Sequence, residues 1–232
     1  MVDFNDKKQV AKSIQYTNVN PNLTKEGVLK HFETCVKYQF EAAMIAPCYI
    51  RLAKDVLKGT GIETASILNF PQANDTPGMK LAVLKEMINE GIDQFDFPPN
   101  PGLLLGGYEK EYFEEMKQIA DLSHANGLIV KAILEFGFLN EEQKPKAARL
   151  ASEAGIDWVK QSSGWGIGGC AATVSDVKIL KDNISLPCRV KVSGKVNTLE
   201  KMKAMFEAGA ELVGTSSGPA IVDGLMGDPN AY

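Results

Sequence analysis

One alternation dominates this sequence and limits what it can fold into. Strand-like runs at 13–17, 42–46, 64–68, 94–97, 129–134, 158–160, 189–192 and 212–215 are separated by longer stretches with apolar residues at helical spacing. Short continuous apolar runs suit strands of a parallel sheet buried on both faces. Between them, Leu81, Leu84, Lys85 and Ile88 lead to Gly91, and Met116, Ile119, Ala120 and Leu122 lead to Gly127. Ala147, Leu150, Ala151 and Ala154 precede Gly155, and Met202, Met205 and Phe206 precede Gly209. Each glycine is followed by a strand, and glycine takes the left-handed conformation past a helix end cheaply. Repeated βα order means an α/β protein. Eight units in 232 residues, about 29 each, fit a small (β/α)8 TIM barrel. A doubly wound open sheet usually has a Gly-rich first βα turn, but here that turn reads Asn18-Val19-Asn20-Pro21-Asn22. No Pro- or Ser-rich linker divides the chain, so residues 1–232 are read as a single barrel domain, with the tail 226–232 expected to be mobile.

Composition removes several function classes. A formal net charge of −4 argues against nucleic-acid binding, which needs a basic surface. No apolar stretch is long enough for a membrane span, and the N-terminus lacks the layout of a signal peptide. Cys35, Cys48, Cys170 and Cys188 lie far apart without a CxxC pair or a matching His cluster. No metal site is expected, and scattered reduced thiols suit a cytoplasmic protein. Cys48 is read as a small buried thiol. Met79, Met87, Met116, Met202 and Met205 are read as packing residues, and His31 and His124 as surface or interhelix residues.

Chemistry in a barrel sits at the C-terminal ends of the strands. Four strands carry an ionisable group where an apolar one is expected: Asp96, Lys131, Lys160 and Lys191. Lysine and aspartate are rarely fully buried, and a lone strand-end lysine usually just reaches solvent. Three lysines and an aspartate on four strands are harder to dismiss. Glu135, at the end of the fifth strand, is expected to pair with one of these lysines. A free lysine is neutral in only about one copy in 2,500 at pH 7. A second ammonium and partial desolvation both disfavour the charged form. The neutral amine can attack a carbonyl and form a Schiff base, with an aspartate beside it to move protons.

The turns after the last three strands read Ser162-Ser163-Gly164-Trp165-Gly166-Ile167-Gly168-Gly169, Ser193-Gly194-Lys195 and Gly214-Thr215-Ser216-Ser217-Gly218. Glycines let backbone amides approach an anion, and hydroxyls add donors, so these loops are candidates for a phosphate site. None fits the GxxxxGK[ST] pattern of nucleotide triphosphate binding.

The segment Trp158-Val159-Lys160-Gln161-Ser162-Ser163-Gly164-Trp165-Gly166-Ile167-Gly168-Gly169-Cys170-Ala171 resembles the Schiff-base lysine signature of the deoxyribose-phosphate aldolase family, close to F-[IV]-K-T-S-T-G-F-x-x-G-G-A-T. Leu68-Asn69-Phe70-Pro71 resembles that family's N-F-P turn, and Gly91-Ile92-Asp93-Gln94-Phe95-Asp96 its G-A-x-E-[IV]-D. Val130-Lys131-Ala132-Ile133-Leu134-Glu135 resembles L-K-V-I-I-E, and Arg189-Val190-Lys191-Val192-Ser193-Gly194 the [FV]-K-x-[AS]-G run of strand 7.

The resemblance implies a class I aldolase. It would reversibly cleave 2-deoxy-D-ribose 5-phosphate to D-glyceraldehyde 3-phosphate and acetaldehyde, without metal or organic cofactor. Lys160 would form the Schiff base, Lys191 would perturb it, and Asp96 would transfer protons. Gly164, Gly194, Ser216 and Ser217 would line the phosphate pocket. Tyr232 is either a plain chain end or, as in some family members, a proton-transfer residue. The sequence does not fix an oligomeric state, but family barrels are often dimers, which makes a homodimer a candidate assembly.

Departures from the pattern concentrate at the rim. The family's D-x-T reads Gln15-Tyr16-Thr17, and its V-C-V-N-P reads Ala43-Met44-Ile45-Ala46-Pro47. Its S-G-G-[IV]-R reads Ser193-Gly194-Lys195-Val196-Asn197, and strand 4 runs into Pro98-Pro99-Asn100-Pro101. Lys195 either adds a positive charge toward the phosphate or obstructs its approach. These changes leave open an aldolase for a different sugar or aldehyde. A non-catalytic sugar-phosphate binder is the remaining alternative, although it would have no use for a nucleophilic amine.

Overall fold

The computed structural model describes residues 2–224 and Gly227. Eight parallel strands close on themselves in chain order. They are β1 (Ile14–Asn18), β2 (Ala42–Ile45), β3 (Glu63–Ile67), β4 (Gln94–Phe97), β5 (Ile129–Ile133), β6 (Trp158–Lys160), β7 (Arg189–Ser193) and β8 (Leu212–Thr215). Each matches its sequence-read run to within about one residue at either end, and the β1–β8 pairing Gln15↔Gly214 closes the ring. The chain is therefore the expected (β/α)8 barrel. The tail expected to be mobile, including Tyr232, lies outside the described residues apart from Gly227. Among the described residues no helix is long and apolar enough to cross a membrane.

The helices start and stop where the local chemistry dictates. Thr24, Thr76, Thr173 and Thr198 each cap a helix by accepting from the backbone N–H three residues on, and each cap contributes about 1 kcal/mol. Gly91, Gly127, Gly155 and Gly209 follow helix ends with φ of 89°, 71°, 88° and 118°. An L-residue would be strained there.

Alternation along each strand sorts the side chains into two cores. Ala43, Ile45, Phe95, Phe97, Val130, Ala132, Val159, Val190, Val192 and Val213 face outward and pack beneath the helices. The alternate residues point into the barrel. On β2, and on β3 above Glu63, they are apolar: Ala42, Met44 and Ala65 cluster with Val19, and Ile67, Phe70 and Trp165 pack against them. On β4 to β7 each strand adds one charged residue to that face: Asp96, Lys131, Lys160 and Lys191.

Several side chains lie elsewhere than the sequence suggested. The helix Pro77–Asn89 buries Lys80, Leu84 and Met87, while Lys85 faces solvent and Met79 is 55% exposed. Cys48 is exposed rather than buried, since its 3-10 turn sits at the rim. His31 is buried and stacks on Tyr16, with ring centroids 4.5 Å apart, and burial pushes its pKa down to about 4. His124 is at the surface, 3.1 Å from Asp157. The four cysteines are all free thiols.

Candidate active site

The inward residues of β4 to β7 converge on one carboxylate. Register sets Asp96 of β4 level with Lys131 of β5, and Lys160 of β6 level with Lys191 of β7. Asp96 Oδ2 accepts from Lys160 Nζ at 2.8 Å and from Lys191 Nζ at 2.7 Å. Lys131 Nζ lies 3.6 Å from Asp96 Oδ1. All four side chains are buried, none more than 3% exposed. Sequence reading singled out these four as ionisable intruders in apolar strands, and the fold brings them together.

The electrostatics follow from three ammoniums sharing this carboxylate. Burial alone would raise the Asp96 pKa, but Lys160, Lys191 and Lys131 together hold it well below the usual carboxylate range. Burial pushes Lys191 down to about 7; Asp96 opposes this, and Lys160 and Lys131 push it further down. Lys131 is also lowered, by burial first, with Asp96 and Glu41 opposing. The site thus holds an ionised carboxylate beside an amine that changes protonation near neutral pH. That is the pairing required for imine formation followed by proton transfer.

Below this cluster lies a layer that the sequence reveals only in part. Gln15 Oε1 accepts from Lys191 Nζ, and Gln15 Nε2 donates to Gln94 Oε1 at 2.6 Å and Glu41 Oε2 at 2.9 Å. Gln94 Nε2 in turn donates to Glu41 Oε1 at 2.9 Å and Glu63 Oε2 at 2.7 Å. Gln94 stands two residues before Asp96 on β4 and so shares its face, a period-2 signal that could have revealed it. Glu41 and Glu63 precede or begin their strands and look like ordinary solvated charges. Of this layer only Gln15 had been named.

Glu135 feels the Lys160 charge, which opposes the rise in its pKa that burial causes, and it also holds the loop that follows that lysine. Its backbone is left-handed, with φ 46°, and this turns the carboxylate toward the loop after β6. There it accepts from the Ser163 N–H and from Ser163 Oγ at 2.8 Å. Ser162 Oγ accepts from Gly164 N at 3.1 Å and Cys170 N at 2.9 Å. The loop following Lys160 is therefore held by its own hydroxyls and by Glu135.

The three Gly/Ser loops lie side by side at the same end of the barrel. Ser193 Oγ donates to Ser162 O at 2.7 Å, Ala172 N to Gly194 O at 2.9 Å, and Thr215 Oγ1 to Val196 O at 2.9 Å. Gly194 has φ 93°, and a Cβ there would stand 2.3 Å from the Cys170 carbonyl oxygen. Lys195 is exposed with φ 58°, so it keeps the left-handed backbone that a glycine adopts freely. Its carbonyl accepts from Lys201 Nζ at 3.0 Å. Ser217 is buried at the start of the short helix Gly218–Asp223, and Ser216 beside it is half-buried.

A further buried pair, also missed, flanks the site. Lys80 and Glu115 form an ion pair in the helix layer, and Lys80 Nζ donates to the carbonyls of Ala73 and, at 3.3 Å, Pro98. It ties the loops after β3 and β4 together. In sequence both residues look like surface helix charges.

No family model matches the chain. The curated deoxyribose-phosphate aldolase of Thermococcus gammatolerans is 37% identical over 217 residues, which is 93% of this chain and 96% of that protein. The Staphylococcus epidermidis deoxyribose-phosphate aldolase is 36% identical over 215 residues, covering 93% and 96%. Among solved structures, an aldolase named QR15 superposes with a TM-score of 0.86 at 27% identity, covering 92% of this chain and 94% of that one. The deoxyribose phosphate aldolase of Aeropyrum pernix, described as a unique tetramer, superposes at 0.87 and covers 94% and 92%. At 24% identity that last likeness concerns the fold alone. With relatives above 30% identity aligned along nearly the whole barrel, and with the lysine signature at Lys160, the chain belongs to the deoxyribose-phosphate aldolase family.

Proposed function

We propose that this chain is a class I aldolase that reversibly cleaves 2-deoxy-D-ribose 5-phosphate to D-glyceraldehyde 3-phosphate and acetaldehyde. The observation that carries the reading is the convergence of Lys160 and Lys191 on one oxygen of buried Asp96, at 2.8 and 2.7 Å. In this mechanism the neutral Lys160 amine adds to the C1 aldehyde of the open-chain sugar, and loss of water gives the imine. Removal of the C3 hydroxyl proton breaks the C2–C3 bond and releases D-glyceraldehyde 3-phosphate, and the electron pair passes into an enamine. Protonation at C2 and addition of water return acetaldehyde and free Lys160. Asp96 and Lys191 are the groups within reach to exchange these protons. Lys131 supplies a further positive charge to the same carboxylate.

Gly164, Gly194, Ser216 and Ser217 form the phosphate pocket in this reading, with Lys195 at its rim. Three adjoining loops rich in glycine and hydroxyls support this, as does a buried Ser217 Oγ that makes no hydrogen bond among the described residues. A single domain, a cytoplasmic location and a homodimer complete the reading; light scattering decides between a dimer and a tetramer.

The test is reductive trapping. Acetaldehyde with borohydride is expected to leave an ethyl group on Lys160, read by peptide mass spectrometry, together with turnover of 2-deoxyribose 5-phosphate. An unmodified Lys160 under saturating acetaldehyde overturns the proposal. One observation favours a second reading with a different acceptor. The wall facing the lysines is apolar, built from Met44, Ala65, Ile67, Phe70 and Trp165. A higher kcat/KM for an unphosphorylated apolar aldehyde than for D-glyceraldehyde 3-phosphate would select it.

A further inference from the structure

The lysine cluster stands on an amide where the family pattern has a carboxylate. Lys191 reaches Gln15 across β8 because Gly214 lies between them without a side chain; a Cβ there would be 3.1 Å from Lys191 Cε. Around Lys191 stand Asp96 from β4, Lys131 from β5, Lys160 from β6 and Gln15 from β1. Arg189, two residues earlier on β7, is turned away onto the Trp158 ring at 3.9 Å. Carboxylates are still present, but deeper. Glu41 accepts from both Gln15 and Gln94, and Glu63 accepts from Gln94.

An amide has a donor end and an acceptor end, so its orientation carries information. Glu41 offers only acceptor atoms, as does the Gln94 oxygen that faces Gln15. Together they fix Gln15 Nε2 downward and therefore Oε1 upward, onto Lys191. Without Glu41 the amide is free to turn over and present N–H groups to an ammonium.

We propose that Gln15 is a positioning residue whose amide, oriented from below by Glu41 and Gln94, gives Lys191 a neutral acceptor and keeps the second carboxylate one residue away from Lys191. The consequence is that Lys191 meets Asp96 and two further ammoniums, and sheds its proton more readily than it would beside two carboxylates. This rests on the aldolase reading for its catalytic meaning, but the titration itself does not.

The test exchanges the two groups. In the double variant Gln15→Glu/Glu41→Gln the charge count is conserved, and the carboxylate moves up against Lys191. Lysine Cε NMR titration of the unliganded protein is expected to show the cluster's lowest lysine pKa raised by about one unit or more. The acid limb of the pH profile for acetaldehyde imine trapping is expected to rise with it. The single variant Glu41→Gln, at a half-exposed position, is expected to move the same titration, and with it the acid limb of trapping, downward. If the exchange does not fold, this single variant decides. A titration that stays within about 0.3 unit of the parent overturns the proposal. If the titration moves as stated but no imine is trapped even in the parent, the aldolase reading fails while the positioning role stands.

Discussion

Two groups of fully buried charges lie close together in this molecule, and they are built on opposite plans. Lys80 and Glu115, in the helix layer, are matched one to one, and Lys80 also finds the Ala73 and Pro98 carbonyls. Inside the barrel, Lys131, Lys160 and Lys191 share Asp96, and Lys131 Nζ and Asp96 Oδ1 lack a hydrogen-bond partner among the described residues. A balanced, satisfied pair recovers much of its desolvation cost and serves to hold loops. An excess of one charge stays costly, and the cost is lowered when a lysine loses its proton. Burial is common to both groups; the imbalance distinguishes a group suited to chemistry from one suited to structure.

The largest effect should come from breaking the unbalanced group at its centre. Asp96→Asn is expected to lower kcat/KM on the order of 10³-fold, read in a coupled assay of D-glyceraldehyde 3-phosphate release. Lys191 and Lys131 lose the carboxylate that opposes the effect of their burial, so their folded-state pKa values fall further below the unfolded value. The unfolded chain then binds more protons, and stability rises with pH. Urea unfolding should therefore show the variant weakest near pH 6 and closest to the parent near pH 9. A stability deficit independent of pH would count against the imbalance.

Breaking the balanced pair should have the opposite profile. Glu115→Gln leaves the buried Lys80 ammonium without its paired carboxylate and is expected to cost about 3–5 kcal/mol in denaturant unfolding. Activity per folded molecule should fall only several-fold, through looser loops after β3 and β4. Lys80→Met/Glu115→Leu should recover most of the stability. A loss of kcat as deep as that of Asp96→Asn would erase the distinction between the two groups.

His31 extends the comparison to a buried group kept neutral. Its folded pKa is about 4 against an ordinary 6.5, so it costs nothing above the ordinary value. As pH falls from 6.5 toward 4 the unfolded chain takes up a proton that the folded one refuses, and stability declines by roughly 3 kcal/mol. His31→Phe should flatten that part of the stability curve while leaving the Asp96-dependent behaviour in place.

The sequence made one of these groups legible and hid the other, for a physical reason. Asp96, Lys131, Lys160 and Lys191 interrupt apolar strands, and a strand's fixed alternation reports which face they take. Lys80 and Glu115 sit on amphipathic helices, where a lysine on the inner face looks like one on the outer. Hence Lys85 was read onto the packed face of its helix, while Lys80 is the residue buried there. The strands and the glycine helix stops were likewise readable because each is local. Glu41 and Glu63 were not, because their meaning depends on two amides from β1 and β4 that meet only when the barrel closes. The Ser163 contact of Glu135 is hidden for the same reason, since a left-handed backbone turns its side chain toward that loop.

The smallest expected effect concerns the fourth lysine near the site, which is exposed. Lys195 holds φ 58° where the family pattern has glycine, at a strain of about 1–2 kcal/mol for an L-residue. Glycine relieves that strain but adds freedom to the unfolded chain, worth about 0.5–1 kcal/mol in the other direction. Lys195→Gly is therefore expected to change stability by no more than about 1 kcal/mol, toward stabilisation. The same substitution removes a charge at the rim of the proposed phosphate pocket. KM for 2-deoxyribose 5-phosphate should rise several-fold with kcat nearly unchanged, and the rise should shrink with added salt, because an exposed charge is screened. Lys195→Arg should retain the low KM but not the gain in stability. If KM is unmoved, Lys195 is a tolerated side chain on a strained turn, and the substrate-facing cations are the buried ones alone.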